Sequence, residues 1–211
     1  QEAKNLTFDS SGQHLLFLAR PEGPDSQNAW RAIVDGRETP GQYALVEDLQ
    51  VSDSGWHWAF VGAPSNDKHN NYSSMRVVLD GKAGRSYRHI NRLLLSSDGT
   101  RHTYSAMREA SGDGTNNWLR VVNGKEYESD SDAEAKFSVN GKHFAAVLKK
   151  TAAAPVVLVD ETIHPAGDLF AGGQAIAAGP TGGLAVRTKS DDNIVRVIVN
   201  GKEGRPLGRA D

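Results

Sequence analysis

The chain has 211 residues, of which 38% are hydrophobic and 24% charged, and its formal net charge is -2 at pH 7. This charge gives no general attraction to nucleic acid or to an anionic membrane surface, and the absence of cysteine excludes disulfides, a thiol nucleophile and thiolate zinc sites. The sequence has no apolar run long enough for a membrane span and no continuous aliphatic strands typical of a buried parallel sheet.

One segment recurs five times along the chain: an apolar strand, a turn of small or polar residues ending in glycine, and a second apolar strand. The copies are LTFDSSGQHLLFLA (6–19), LQVSDSGWHWAFVG (49–62), LLLSSDGTRHTYSA (93–106), AKFSVNGKHFAAVL (135–148) and IAAGPTGGLAVRT (176–188). Their turn glycines are Gly12, Gly55, Gly99, Gly141 and Gly182, which are separated by 43, 44, 42 and 41 residues. A fixed period of this length indicates a repeat fold.

A second motif follows in each copy. It reads WRAIVDGRE (30–38), MRVVLDGKA (75–83), WLRVVNGKE (118–126), PVVLVDETI (155–163) and VRVIVNGKE (195–203). Asp-Gly or Asn-Gly after β-branched residues predicts a hairpin with a type I′ turn, because both central residues of that turn need positive φ. The fourth copy has Glu161 where glycine is expected, and we interpret it as a degenerate turn.

Each copy therefore predicts four short strands, and four-stranded antiparallel units at this period are typical of propeller blades. We predict an all-β, five-bladed β-propeller that forms a single domain over residues 1–211. Its repeats cover approximately 1–44, 45–88, 89–130, 131–172 and 173–211. The alternatives are a segment of a larger propeller and an open ring completed by another subunit.

The repeats resemble the WD40-like (PD40-type) repeats of the TolB-like propeller group. The matching residues are Phe8 to Gly12, Ser96 to Gly99 and Phe137 to Gly141, with Ala59-Phe60-Val61 after the second turn glycine. The consensus proline is missing, and Arg187 replaces the aromatic residue of the last copy. The resemblance implies a propeller and a periplasmic or secreted location, and it leaves protein, peptide and small-ligand partners open.

The first strand of each blade lines the axial channel of a propeller. We expect the fourth and sixth residues before each turn glycine, such as Phe8 and Leu6, to pack between blades. The fifth and seventh residues are mostly polar and are predicted to lie near the channel mouth. From these sets the predicted ligand-binding residues are Asn5, Asp48, Arg92, Glu134 and Lys136.

Asp48 and Glu134 come from different blades and would be the acid and base if the protein were a glycoside hydrolase or lyase. Arg92 and Lys136 in the same layers would keep both carboxylates ionised, whereas a general acid must hold a proton. We therefore predict no catalytic residue and keep this enzyme as the alternative function.

Three long polar loops connect the second and third strands of the first three copies, at 20–28, 63–74 and 108–117. Propellers usually bind through such loops, so we predict the binding face there. Its candidate ligand-binding residues are Asp67, His69, Tyr72, Asp113, Asn116 and Asn117. Trp30, Met75 and Trp118 occupy one repeat position just after these loops. We interpret Trp30 and Trp118 as strand residues that pack between blades, and the alternative is an aromatic rim that contacts the ligand.

No metal site or cofactor is predicted. The second position after the turn glycine carries His14, His57, Arg101 and His143, with Leu184 breaking the set, but equivalent positions in adjacent blades are too far apart for one zinc ion. The polar loops lack the ligand spacing of a calcium loop, and no Gly-Lys pair precedes a helix as in a phosphate-binding loop.

The predicted function is a non-enzymatic recognition or scaffold module. Its expected partner is a protein or peptide, with a small molecule or carbohydrate as a further option, and nucleic acid is not expected.

Overall fold

The computed structural model describes residues 2–22, 30–64, 74–108, 118–130, 134–150, 153–166, 176–189 and 194–209. These ranges contain strands, turns and irregular segments without a helix. In this part of the chain there is accordingly no helix long and apolar enough to cross a membrane.

The strands form five antiparallel sheets, one for each copy of the repeat. Sheet 1 contains β1 (Glu2–Phe8), β2 (Leu15–Arg20), β3 (Arg31–Val34) and β4 (Arg37–Glu38). Sheet 2 contains β5 (Leu45–Val51), β6 (Trp58–Ala63), β7 (Met75–Leu79) and β8 (Lys82–Tyr87). Sheet 3 contains β9 (His89–Leu95), β10 (His102–Met107), β11 (Trp118–Val122) and β12 (Lys125–Glu128).

Sheet 4 contains β13 (Ala135–Phe137), β14 (Phe144–Lys150), β15 (Ala153–Val159) and β16 (Thr162–Pro165). Sheet 5 contains β17 (Ile176–Ala178), β18 (Leu184–Lys189), β19 (Ile194–Val199), β20 (Lys202–Glu203) and β21 (Gly208–Arg209). Strand order follows chain order in every sheet, and β19 pairs with β20 at one end and with β21 at the other. The predicted all-β class and the four-stranded antiparallel unit are confirmed.

The hairpin between the third and fourth strands has the predicted geometry in all five sheets. Its first central residue is Asp or Asn with φ between 43° and 50°, and in four sheets its second is glycine with φ between 74° and 81°. Glu161 takes that second position in sheet 4 with φ 71°, and Val159 still pairs with Thr162 across the turn. The interpretation of this copy as a degenerate turn is therefore confirmed.

Contacts divide the chain into two compact units, residues 1–116 with 121–125, and residues 117–120 with 126–211. In the first unit, one face of sheet 1, with Leu16 and Leu18, packs on Phe60 and Val78 of sheet 2. In the second unit, Val157 of sheet 4 packs with Ile176 and Ile198 of sheet 5. Full burial of such a side chain stabilises the fold by about 1.5–3 kcal/mol.

The expectation that Leu6 and Phe8 pack between blades is wrong, because their exposed fractions are 64% and 59%. At the position of Leu6, Leu93 and Ile176 are buried, with exposed fractions of 1% and 0%, and the later residues at the position of Phe8 are partly or fully exposed. In the first unit β5, β6 and β7 of sheet 2 contact β9, the first strand of sheet 3. In the second unit β13 contacts β17, and β14 and β16 contact β18, the second strand of sheet 5. Sheets 2 and 4 thus each cover part of the sheet that follows in sequence.

Candidate binding site

A histidine and an aspartate join the two turns of sheets 1, 2 and 4. The Nδ1 atoms of His14, His57 and His143 lie 2.9, 2.7 and 2.7 Å from Oδ2 of Asp35, Asp80 and Asp160, respectively. The histidine follows the first turn and the aspartate begins the second. Each of the predicted histidines therefore has a partner within its own sheet. We call this His–Asp contact the turn latch.

The other carboxylate oxygen of the turn latch accepts a main-chain hydrogen bond. Asp80 Oδ1 accepts from the amide of Trp58 at 2.9 Å, and Asp35 Oδ1 accepts from Leu15 at 2.9 Å. The Leu15 amide, followed by His14, lowers the pKa of Asp35 below its ordinary value of 3.8. Asn123 and Asn200 accept the same main-chain bond in sheets 3 and 5.

The fifth copy is one residue shorter in its first turn, which corrects the expected place of Leu184. The Leu184 amide donates to Asn200 Oδ1 at 2.8 Å, as the Phe144 amide does to Asp160 Oδ1. Gly183, whose carbonyl accepts from Gly179, therefore stands where His143 stands in sheet 4. Counting forward from the turn glycine missed this deletion. No cluster of three or more potential metal ligands lies among the described residues.

Three predicted ligand-binding residues share one unusual backbone conformation, with a positive φ. Asn5, Asp48 and Arg92 have φ values of 56°, 50° and 51°. In β1 and β5 the register with the second strand shifts at this residue, so a β-bulge interrupts the first strand. A bulge redirects the side chains that follow it, so strict alternation does not hold across this position. All three side chains are exposed.

Side chains from β5 complete the hydrogen bonding of β9. Asp48 Oδ2 accepts from the Leu93 amide at 3.2 Å. Gln50 Oε1 accepts from the Leu95 amide at 2.9 Å, and Gln50 Nε2 donates to the Leu93 carbonyl. Unpaired main-chain groups at a strand edge need such partners. Asp48 and Gln50 therefore connect sheet 2 to sheet 3.

Lys136 makes the corresponding connection in the second unit. Its Nζ atom donates to the Ile176 carbonyl at 3.1 Å and lies 3.0 Å from Glu134 Oε1. Glu134 and Lys136 are partly exposed, with about a third of each side chain accessible. The proposed acid and base thus have different surroundings, since Asp48 accepts from a main-chain amide and Glu134 is ion-paired.

The remaining candidate ligand-binding residues belong to the long loops. Asp67, His69, Tyr72, Asp113, Asn116 and Asn117 all lie outside the described residues. Of the residues that follow these loops, Trp30 and Met75 are 6% and 3% exposed, and Trp30 belongs to the core shared by sheets 1 and 2. The interpretation of Trp30 as a packing residue is confirmed, whereas Trp118 is half-buried and its interpretation stays a prediction.

His102 is a candidate that the sequence analysis did not select. It follows the first turn at the place of Leu15, Trp58, Phe144 and Leu184, so it is the polar member of an otherwise apolar set. Its ring stacks on Tyr104 with centroids 6.1 Å apart, as the Trp58 ring stacks on Phe60 at 5.9 Å. Burial lowers the pKa of His102 below its ordinary value of 6.5, which keeps the imidazole neutral near pH 7.

Comparisons with known proteins give similarity only at the level of structure. No protein-family profile matches the sequence, and no curated protein matches it. The β-propeller domain of the Trilobed protease from Pyrococcus furiosus aligns with 99% of this chain and 71% of its own, at 10% identity and a TM-score of 0.48. TolB from Acinetobacter baumannii aligns with 100% of this chain at 11% identity and a TM-score of 0.38.

Prolyl oligopeptidase B from Galerina marginata aligns with 94% of this chain at 12% identity and a TM-score of 0.43. This chain spans 55% of the TolB chain and 35% of the oligopeptidase chain. The solved structures similar to this chain thus include both TolB proteins and peptidases.

Proposed function

We propose that the chain is a non-enzymatic recognition module that binds a protein, peptide or small ligand. Its binding face is the end of the sheets from which the 20–28, 63–74 and 108–117 loops leave the strands. Asn5 and Arg92 on the first strands, together with the loop residues predicted from the sequence, are the proposed ligand contacts.

The observation that supports this proposal is that polar side chains of the first strands bond to the main chain of a neighbouring sheet. Asp48 and Gln50 bond the main chain of sheet 3, and Lys136 bonds that of sheet 5. A glycoside hydrolase needs one carboxyl group that holds a proton and a second that attacks or activates water. Asp48 accepts a hydrogen bond from a main-chain amide, and Glu134 is paired with Lys136. These contacts fit a structural role better than the roles of general acid and of nucleophile or base.

The test is a loop exchange in the full chain. Residues 111–117 are replaced by a Gly/Ser segment of equal length, and the short loop 190–193 is replaced in the same way as the matched control. Ligands are first selected with the unaltered chain from a displayed peptide library and a glycan array. We expect the 111–117 exchange to weaken the selected ligand about tenfold or more, because loop contacts centred on an interface dominate affinity.

Equal effects of the two exchanges would contradict the assignment of binding to the long loops, because the 190–193 loop also joins the second and third strands of its sheet. Binding that mapped wholly onto the Asp-Gly and Asn-Gly hairpins at the other end of the strands would contradict the choice of face. The enzyme alternative is tested on a panel of aryl glycosides with Asp48→Asn and Glu134→Gln. Turnover that either substitution abolishes would overturn the non-enzymatic role.

The periplasmic or secreted location follows from the family resemblance and remains part of the proposal. Fractionation of cells that express the natural full-length protein tests it, and recovery in the cytoplasmic fraction would contradict it.

A further inference from the structure

The third strands of sheets 1, 2 and 5 carry an arginine at the same repeat position. These residues are Arg31, Arg76 and Arg196. In sheets 1 and 5 the arginine pairs with a glutamate of the fourth strand. Arg31 Nη1 lies 2.6 Å from Glu38 Oε2, and Arg196 Nε lies 3.2 Å from Glu203 Oε1. The repeat thus places an arginine and a carboxylate together across its outer hairpin.

Sheet 2 has the arginine of this pair without the glutamate. Ala83 stands at the place of Glu38 and Glu203, because it pairs with the equivalent residue of the third strand. Arg76 is partly buried and makes no hydrogen bond or ion pair with any described residue. Its Nε atom is fully buried without an acceptor in this part of the chain. A buried donor without an acceptor is unfavourable, and more so when it is charged.

A second polar group next to Arg76 also has no partner. Ser86 lies directly opposite Arg76 in the register of β7 and β8, so both side chains are on one face of sheet 2. The Cβ atoms of such a pair are about 4.5–5.5 Å apart. The Ser86 hydroxyl is buried and makes no hydrogen bond with a described residue. One acceptor placed between the two side chains would therefore satisfy two buried donors.

Arg76 lies at the end of sheet 2 that carries the 63–74 loop, because this loop leads into β7 at Met75. Gly62 is opposite Arg76 on β6, and a Cβ at Gly62 would lie 2.6 Å from the Tyr43 ring, so the ring covers this glycine. Burial raises the pKa of Tyr43 above its ordinary value of 10.0, and the charge of Arg76 acts in the opposite direction. The guanidinium is therefore beside the Tyr43 ring, at the proposed binding face.

Sheets 1 and 5 indicate which anion fits this position. In both sheets one guanidinium faces one carboxylate, and the fixed N–H groups of arginine match the geometry of a carboxylate. A single guanidinium balances the single charge of such a group. The net charge of -2 on the whole chain gives no general attraction to polyanions, which disfavours nucleic acid.

We propose that Arg76 and Ser86 bind a carboxylate of a peptide or protein ligand, at the position that a glutamate carboxylate occupies in sheets 1 and 5. This inference rests on the recognition role proposed above and assigns the chemistry of one ligand group. The carboxylate accepts hydrogen bonds from the Arg76 guanidinium and the Ser86 hydroxyl. It belongs to an Asp or Glu side chain or to the C-terminus of the ligand, and the experiment distinguishes these two sources.

The experiment is a double-mutant cycle between the full chain and peptides from a displayed random library selected on it. Each selected peptide is synthesised with its acidic residues replaced by their amides and, separately, with an amidated C-terminus. Loss of one carboxylate should weaken binding to the unaltered chain about tenfold or more, because a hydrogen bond to a charged group contributes about that much. The same loss should weaken binding to Arg76→Gln about twofold or less, because the partner of the carboxylate is already absent.

Two further variants separate this site from a general effect of charge. Ala83→Glu restores the glutamate of the repeat and keeps Arg76, so it should remove the dependence on the ligand carboxylate as Arg76→Gln does. Arg196→Gln is the matched control, because it removes the equivalent guanidinium where Glu203 is its partner, and the full dependence should remain. Circular dichroism and melting temperature establish that the variants fold. Since Ala83 is exposed, Ala83→Glu also provides the test if Arg76→Gln fails to fold.

The proposal would be overturned by ligands whose affinity depends on no carboxylate, or by equal losses with the unaltered chain, Arg76→Gln and Ala83→Glu. Dependence on an acidic side chain or on the free C-terminus identifies the source of the group. Failure of the library to yield any peptide would also overturn it, whereas ligands from the glycan array would still support the recognition role.

Discussion

Replacement of Glu161 by glycine should stabilise the protein. The left-handed backbone costs a residue with a side chain about 1–2 kcal/mol, whereas glycine loses about 0.5–1 kcal/mol more conformational freedom on folding. Glu161 has φ 71° and an exposed side chain, which makes no hydrogen bond or ion pair with the described residues. The net expectation is a gain of about 0.5–1 kcal/mol, which corresponds to about 1–4 °C in melting temperature for a chain of this size.

The assay is thermal and urea unfolding followed by circular dichroism. The reverse change, Gly124→Glu, is the matched control, because Gly124 has φ 81° and a Cβ there would meet nothing within 4 Å. It should lower stability by a similar amount through backbone conformation alone. If Glu161→Gly were neutral or destabilising while Gly124→Glu destabilised, the reasoning would be refuted and Glu161 would have a role of its own.

Two further predictions concern the turn latch and His102. Asp80→Ala should lower the free energy of unfolding by about 1–3 kcal/mol in urea titrations, because it removes the acceptor of the Trp58 amide. Asp80→Asn should lower it less, because Asn123 and Asn200 accept the same hydrogen bond in sheets 3 and 5. Equal losses in the two variants would contradict this account. Burial lowers the pKa of His102 in the folded protein, so below pH 6.5 the unfolded chain binds more protons than the folded chain. The free energy of unfolding should therefore fall as the pH falls from 6.5 toward the pKa of His102 in the folded protein. His102→Phe, which copies Phe144, should flatten this dependence of the urea midpoint between pH 7.5 and 5, and an unchanged slope would rule His102 out as its source.

The period of the turn glycines was sufficient to predict the sheets. Positive φ is required at Gly12 and Gly36, and each such glycine marks a chain reversal between two strands that pair locally. The faces of the first strands were harder to predict, because the bulge at Asn5, Asp48 and Arg92 interrupts the alternation on which the assignment depends. The exposure of Leu6 and Phe8 depends on whether another sheet packs against the first strand, and the sequence of that strand does not contain this information.

The sequence predicts the residue types of the candidate site but not the contacts that they make. The polarity of Asp48 and Gln50 is visible in the sequence, but their partners are main-chain groups more than 40 residues away, which carry no sequence signature. Two signals were available in the aligned copies. The fifth copy has one letter fewer than the first, which marks the shortened turn before Leu184, and His102 is a polar residue in an apolar column.

The hairpin Asp or Asn of each sheet also has a measurable effect on a single amide proton. In every sheet the amide of the residue that opens the second strand donates to the side chain of the hairpin Asp or Asn, and the donors are Leu15, Trp58, His102, Phe144 and Leu184. Hydrogen exchange at each of these five sites therefore reports on the closure of one sheet and not on its neighbours. A residue-resolved hydrogen-exchange experiment would thus measure the local opening of each sheet separately, because each sheet contains one such amide.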